Sequence, residues 1–417
     1  MSTIGSRPPR VAVIGAGAAG TMAAIFAASA GAETVLIERT RDGGRKILIS
    51  GGGRCNILPA RLDESRFVTD SSPNTLRKII RSWPLHEQVE FFESELGLAL
   101  VEETESAKLF PASHRARDVR DGLLALAVRR GARLWPNTLV TGVTPIAEGG
   151  WRIDVDHADA ITSDAVIIAT GGLSVPNTGS DGIGLNIVAG LGHTMHPTYA
   201  ALTPLTAEPP PFAVLSGVSL NVTMTARSAA HCCTASGGFL FTHHGYSGPA
   251  ALNVSHVVAR ARLDAIEAQV QVCWTSFDAK AWEQALTPHG SRTVLGALRA
   301  ELPDRLAVAL LNMAGVDPTR SLADLRRQER ITLIETLVRG VLPCTGDDGY
   351  KKAEVTGGGV SLAEIDPRTM ESRRHPGLFL CGEVLDAFGP IGGYNFLWAW
   401  ATGRAAGLGA AGTTMRG

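Results

Sequence analysis

The apolar positions of this chain follow two different periods. Short unbroken runs, "VAVI" at 11–14, "AVIIA" at 165–169 and "LFLC" at 378–381, are bounded by glycine or polar residues. Such runs read as strands buried on both faces of a parallel sheet. An alanine-rich stretch, Thr21 to Ser29, reads as a helix closed by Gly31, and Ala32 to Ile37 as a second strand. Further along, Leu215 to Thr225, Phe239 to His243 and Ala268 to Trp274 read as strands separated by Gly/Ser turns. From Ala281 to Arg339 the pattern turns helical, with "LGALRAELPDRLAVALLNMAGV" and "SLADLRRQERITLIETLVRG" as amphipathic stretches. The order is therefore an α/β beginning, a β block, a helical block, and a last strand with a helix from about Asn395.

Composition narrows the class. A chain of 417 residues is long enough for two or three domains. With 45% hydrophobic and 19% charged residues it is globular, neither disordered nor fibrous. The net charge of −1 gives no overall positive field, so no nucleic-acid partner is expected. No run of about 18 uninterrupted apolar residues predicts a membrane span. The six cysteines include no C-x-x-C and no metal-ligand spacing, so no metal site and no dithiol relay is expected. They read as the reduced thiols of a cytoplasmic protein. The start, "RPPRVAVIGAGAAG", has the basic and apolar look of a signal peptide. Its glycine spacing, and the acid that follows, are features a signal peptide does not require.

Those glycines are the first candidate site. Gly15-Ala16-Gly17-Ala18-Ala19-Gly20 is a complete G-x-G-x-x-G between a strand and a helix. The first glycine permits a tight turn, the second lets backbone reach a pyrophosphate, and the third allows close helix packing. The pyrophosphate then meets the helix N-terminus. Glu38 ends the second strand, where an acid accepts hydrogen bonds from ribose hydroxyls. This acid favours FAD or NAD over NADP. "NTLVTGV" (137–143) reads as a strand bringing Val140 past an adenine, and the 165–169 run ends in Thr170-Gly171-Gly172. Asp181 is placed to cap a helix from Gly182. Near the C-terminus, Gly382-Glu383, Asp386 and Gly392-Gly393-Tyr394-Asn395-Phe396 form a second glycine-rich turn feeding a second helix N-terminus. Two such turns suit a ligand with charge at two places, such as FAD. In "RKILISGGGRCNI", Ser50, Gly51, Gly52, Gly53, Arg54, Cys55 and Asn56 allow close backbone approach to a phosphate, to a flavin ring, or a plain turn. Arg39, Arg45, Lys46 and Arg54 are candidate partners of the ligand's charge. Phe396, Trp398 and Trp400 read as core packing.

Four stretches carry a family resemblance: "GGRKILISGGGRCN" (43–56), "FTHHGYSGPAAL" (241–252), "AEVTGGGVSLAEIDPRTMESR" (353–373) and "GLFLCGEVLDAFGPIGGYNFLWAWATG" (377–403). In this order they resemble the BaiN/RdsA-type family of bacterial FAD-dependent oxidoreductases, a group including aminoacetone oxidase-like proteins. The chain departs from the usual pattern at Asp386-Ala387-Phe388-Gly389. The resemblance implies a Rossmann-like FAD-binding domain, discontinuous over 1–194 and 341–417. Between its halves would lie an inserted, β-barrel-like unit (195–280) and a helical unit (281–340). It places His243, His244 and Tyr246 where the insert would meet the flavin, as the candidate proton donors. No second G-x-G-x-x-G offers a nicotinamide domain, so NADH or NADPH would dock only transiently. The expected activity is hydride transfer between flavin N5 and a small organic substrate. An amine or aminoketone oxidase using O₂, an RNA-modifying flavoprotein and a flavin redox sensor are the competing readings.

Overall fold

A computed structural model describes residues 7–412. Among them, 7–198 and 355–412 form one compact unit and 199–354 a second.

The first unit is built on a five-stranded sheet. Strand β1 (Arg10–Ile14) leads through helix α1 (Ala18–Ser29) to strand β2 (Glu33–Ile37). In the sheet, β1 lies between β2 and Ala165–Ile168; Leu378–Leu380 and Arg133–Trp135 flank these, and every pair is parallel. Val11, Ala12, Val13 and Ala165–Ile168 are essentially inaccessible, which explains their unbroken apolar runs. The C-terminal helix, Tyr394–Ala411, packs on α1 backbone to backbone. A Cβ at Gly403 or Gly407 would come within 2.3 Å of the Ala19 or Ala23 carbonyl oxygen. A three-stranded antiparallel sheet, beginning with Val140–Pro145 and Trp151–Val155, completes the α/β pattern read from the sequence.

The second unit has one core, shared by strands and helices alike. Ser219–Ser228 and Cys232–Phe241 form its long hairpin, covered by the helix Pro249–Leu263. Its seven strands run in one open order rather than closing as a barrel. The chain stays in this unit through Glu354, beyond the boundary at 340 expected from sequence. Gly340–Leu342 pairs with Ala268–Cys273, and Gly346–Asp347 with Leu205–Thr206, so both short strands belong to its sheet.

Candidate functional site

The turn between β1 and α1 is shaped by its glycines. Gly15 has φ +100°, and a Cβ on Gly20 would fall 1.8 Å from the Gly15 carbonyl oxygen. Gly17 differs: it is the N-cap of α1, and a Cβ there would meet nothing within 4 Å. The first turn, with Ala18 and Ala19, carries no side-chain cap and no acidic residue. Open space before uncapped amides fits the diphosphate of a dinucleotide. Glu38 is buried at the end of β2. Its Oε2 accepts from the Ala16 amide at 2.8 Å, and its Oε1 from the Thr40 amide at 2.7 Å and hydroxyl at 2.6 Å. The carboxylate expected on ribose thus first braces the turn; three of about four acceptor positions are filled, leaving one for a ligand. Arg39 is ion-paired with Asp181 at the surface. Asp181 is not the helix cap the sequence suggested. It precedes the N-cap Gly182, and its Oδ1 accepts from Ile183 N at 3.3 Å.

Helix α2 (Arg45–Ile49) leads into the triple glycine. Gly51, Gly52 and Gly53 have φ of +55°, +67° and +85°, a left-handed run that side chains disfavour. Gly51 faces Asn56 N and Phe110, whereas a Cβ on Gly52 would meet nothing within 4 Å. Ser50 closes the preceding turn, its hydroxyl donating to Ile47 O at 2.7 Å. Cys55 packs inside with no exposure, and burial pushes its thiol up to about 12, so it is an inert core residue. Arg54 donates to Glu103 at 2.9 Å and lies 4.4 Å above the Phe110 ring, which gives its charge a partner within the protein. Arg45 pairs with Asp42 at 3.2 Å. In Gly52→Val, backbone strain should cost only about 1–2 kcal/mol, while flavin content falls markedly. Full flavin occupancy in the purified variant would refute a ligand-facing role for this loop.

Lys46 turns the other way. Its ammonium donates to Glu383 Oε2 and Ser174 Oγ, both at 2.8 Å. Glu383 Oε1 accepts from the Ser174 hydroxyl at 2.6 Å and the Thr356 amide at 3.0 Å. Burial would raise the pKa of Glu383, but the Lys46 charge and these hydrogen bonds hold it below the usual carboxylate range. Thr356 Oγ1 in turn accepts from the Leu173 and Ser174 amides at 2.7 and 3.1 Å, fixing the loop after Thr170-Gly171-Gly172. Glu383 therefore joins three distant segments. Thr356 and Ser174 were missed in the sequence; the "VTGGGV" stretch was the available signal.

Asp386 is likewise committed internally. It is buried, and its Oδ2 accepts from the amides of Asp70 and Ser71 and the hydroxyls of Thr69 and Ser71, at 2.8–2.9 Å. His196 Nε2 lies 3.6 Å from the same oxygen. Through this one oxygen Asp386 clamps the 69–71 loop. Asn395 locks the next turn, accepting from Gly389 N at 2.8 Å and donating to Gly389 O at 2.9 Å. Gly392 and Gly393 follow with positive φ, and Gly393 caps the C-terminal helix without a side-chain cap or an acid in its first turn. Gly382 is buried, its amide held by Thr402 and its carbonyl by the Trp398 indole. Phe396 stacks on the buried Trp400, centroids 5.3 Å apart, as the packing reading required. Val140 is buried at the start of its strand.

The three candidate proton donors lie in the second unit. Tyr246 is a core residue: it is 1% exposed, stacks on Phe239, and donates its hydroxyl to Pro343 O at 3.0 Å. The strand Gly245–Ser247 turns this side chain inward, which removes Tyr246 as a proton donor. His243 and His244 are exposed in the turn before it, their rings 4.9 Å apart.

A parallel sheet with two uncapped glycine turns, at α1 and at the C-terminal helix, defines a dinucleotide-binding protein of the Rossmann type. The chain matches the HI0933-like protein Rossmann domain over residues 9–409 and belongs to that family. It is a flavoprotein oxidoreductase with a Rossmann-like FAD-binding fold. It is 32% identical over 393 residues to the ribosomal RNA dihydrouridine synthase of Escherichia coli, covering 94% of this chain and 95% of that protein. It is 31% identical over 411 residues to the 3-dehydro-bile acid delta(4,6)-reductase of Clostridium scindens, covering 96% and 99%. The fold is similar to that of 3-ketosteroid delta1-dehydrogenase from Sterolibacterium denitrificans, with a TM-score of 0.52 at 13% identity, covering 97% of this chain and 100% of that one. Among the described residues no helix is long and apolar enough to cross a membrane, and no group of three or more His, Cys, Asp or Glu is placed to hold a metal ion.

Proposed function

We propose that this chain is an FAD-dependent reductase that saturates a carbon–carbon double bond polarised by a neighbouring carbonyl, with NADH or NADPH as a transiently docking reductant. One observation carries the reading. Two relatives of nearly equal similarity and nearly full coverage are named for different substrates, a ribosomal RNA and a bile acid. Forming dihydrouridine and reducing a delta(4,6) bond are the same reaction, addition of two hydrogens across a C=C bond. When bound, FAD supplies the hydride chemistry. The Gly15–Gly20 turn and Glu38 would hold its adenosine and diphosphate end. Gly51–Gly53, Asn56 and the Gly392–Tyr394 turn would bound its ring end. The second hydrogen enters as a proton, for which His243 and His244 are the proposed donors. The near-neutral net charge favours a small-molecule substrate over an RNA one. The test is anaerobic bleaching of the yellow protein by NADH or NADPH, then re-oxidation by a cyclic enone or by uracil-containing RNA. Bleaching followed by enone-driven recovery is expected. Re-oxidation by O₂ alone would instead support the aminoketone oxidase reading.

A further inference from the structure

A cleft of about 230 Å³ opens in the first unit beside the Gly392–Tyr394 turn. Arg61, Asp63, Arg66, Ser106, Gly392 and Tyr394 line it. Its base is fixed by Tyr394, whose hydroxyl donates to Arg61 O and accepts from Asp63 N, both at 3.3 Å. Above that ring, at 5.3 Å, lies the Arg66 guanidinium. Arg61 and Arg66 are exposed, and Lys108 approaches within 3.6 Å of where a Cβ on Gly392 would stand. Asp63 is the one acid on the lining. Its Oδ1 accepts from the Ser65 hydroxyl and amide at 2.6 and 3.0 Å, which hold the carboxylate below its usual range and keep it ionised. On the lining, Arg61 and Arg66 outnumber Asp63; next to it Lys108 faces Glu103, whose carboxylate accepts from the Ser106 hydroxyl, so the cleft keeps a net positive charge.

We propose that this cleft is an oxyanion site that takes a phosphate group of a phosphorylated small molecule acting at the flavin. Two arginine forks on the lining, with a lysine beside the turn, suit the charge of a phosphate dianion. The volume falls below the roughly 300–1,000 Å³ that encloses a whole drug-sized ligand, so the cleft holds one end of a larger molecule. Two sources carry that chemistry: the diphosphate of a nicotinamide reductant and a phosphate on the substrate. The first source rests on the reductase reading above; the oxyanion site itself does not.

The test uses the FAD-loaded protein and inorganic pyrophosphate, titrated by calorimetry at low salt. Saturable binding to one site is expected, weakened at least ~10-fold in the double variant Arg61→Gln/Arg66→Gln, the loss of one charge-assisted hydrogen bond being worth about that much. The visible flavin spectrum and circular dichroism of the variant should match wild type, which separates loss of the site from loss of fold. Lys108→Gln, on a separate strand, gives a second, smaller loss. No saturable binding, or equal affinity in both arginine variant and wild type, overturns the proposal. Should the double variant also raise the NADPH and NADH concentrations needed for half-maximal bleaching, the phosphate is the reductant's. Should bleaching stay unchanged while pyrophosphate binding is lost, it is the substrate's. A wild-type protein that binds pyrophosphate but never bleaches would sink the reductase reading and leave the site standing.

Discussion

Asp386→Ala is expected to destabilise the protein by about 4 kcal/mol or more, among the largest effects of any single polar substitution. The wild-type Oδ2 is the shared acceptor for two amides and two hydroxyls of residues 69–71, in a position only 1% exposed. Alanine would take this acceptor from both amides and both hydroxyls, although the Thr69 hydroxyl keeps the Asp386 carbonyl oxygen at 2.6 Å and the Ser71 hydroxyl lies 3.3 Å from His196 Nε2. Hydrogen bonds to a charged group are worth about 1.5–3 kcal/mol each before non-additivity reduces their sum. The 69–71 loop also meets the 386–388 segment through Val68 and Phe388, whose backbone amides and carbonyls exchange bonds at 2.8 and 3.1 Å. Releasing one end should therefore loosen the approach to Gly389 and the C-terminal helix. Asp386→Asn keeps one acceptor oxygen and should cost roughly half as much. Urea unfolding followed by tryptophan fluorescence measures both. A midpoint for Asp386→Ala equal to that of wild type would show that the clamp does not hold the fold. An unchanged midpoint with lost flavin would return Asp386 to the cofactor role suggested by its place in the motif.

The clamp around Asp386 is built from residues far away in the sequence, unlike the first turn. The β1–α1–β2 unit was legible because its signals are local: an apolar run, three spaced glycines, an alanine-rich helix and a terminal acid lie within 28 consecutive positions, 11–38. The acidic side chains were harder. Glu38, Glu383 and Asp386 sit in motifs where an acid touches a nucleotide, yet each is held by protein donors, and most of those come from remote segments. Glu383 is bound by Lys46, Ser174 and Thr356, and Asp386 by Thr69, Asp70 and Ser71. No spacing rule joins residues hundreds of positions apart. The Arg54–Glu103 pair was invisible for the same reason, since Glu103 reaches Arg54 from a separate hairpin. Tyr246 failed on strand register: in "FTHHGYSG" a shift by one residue decides whether the ring faces solvent or core. The end of the second unit was missed because "GVL" and "GD" are strands of three and two residues, too short to show a period.

Gly17 and Gly20 of the first turn should separate binding from folding. Gly20→Ala places a Cβ 1.8 Å from the Gly15 carbonyl oxygen and 3.0 Å from the Ala169 side chain, with backbone on one side and a packed strand on the other. Neither neighbour is a flexible side-chain end, so α1 must shift away from β1. Overpacking of this kind costs about 1–3 kcal/mol, and both FAD content and stability should fall. Gly17 stands only three residues earlier but meets no such obstacle. Its φ of −78° suits any residue, and a side chain there enters space in which no protein atom lies within 4 Å of the Cβ. Gly17→Val should therefore cost the flavin-free protein only about 1 kcal/mol, the difference between a glycine and an apolar N-cap. The same side chain would stand between the α1 amides and a diphosphate. Losing two charge-assisted hydrogen bonds predicts FAD affinity weaker by at least ~100-fold. Flavin content after gel filtration and the unfolding midpoint of the stripped protein read the two effects independently. If Gly17→Val retains wild-type FAD affinity, the open space before α1 is not where the diphosphate lies, and the assignment of this turn to the cofactor fails.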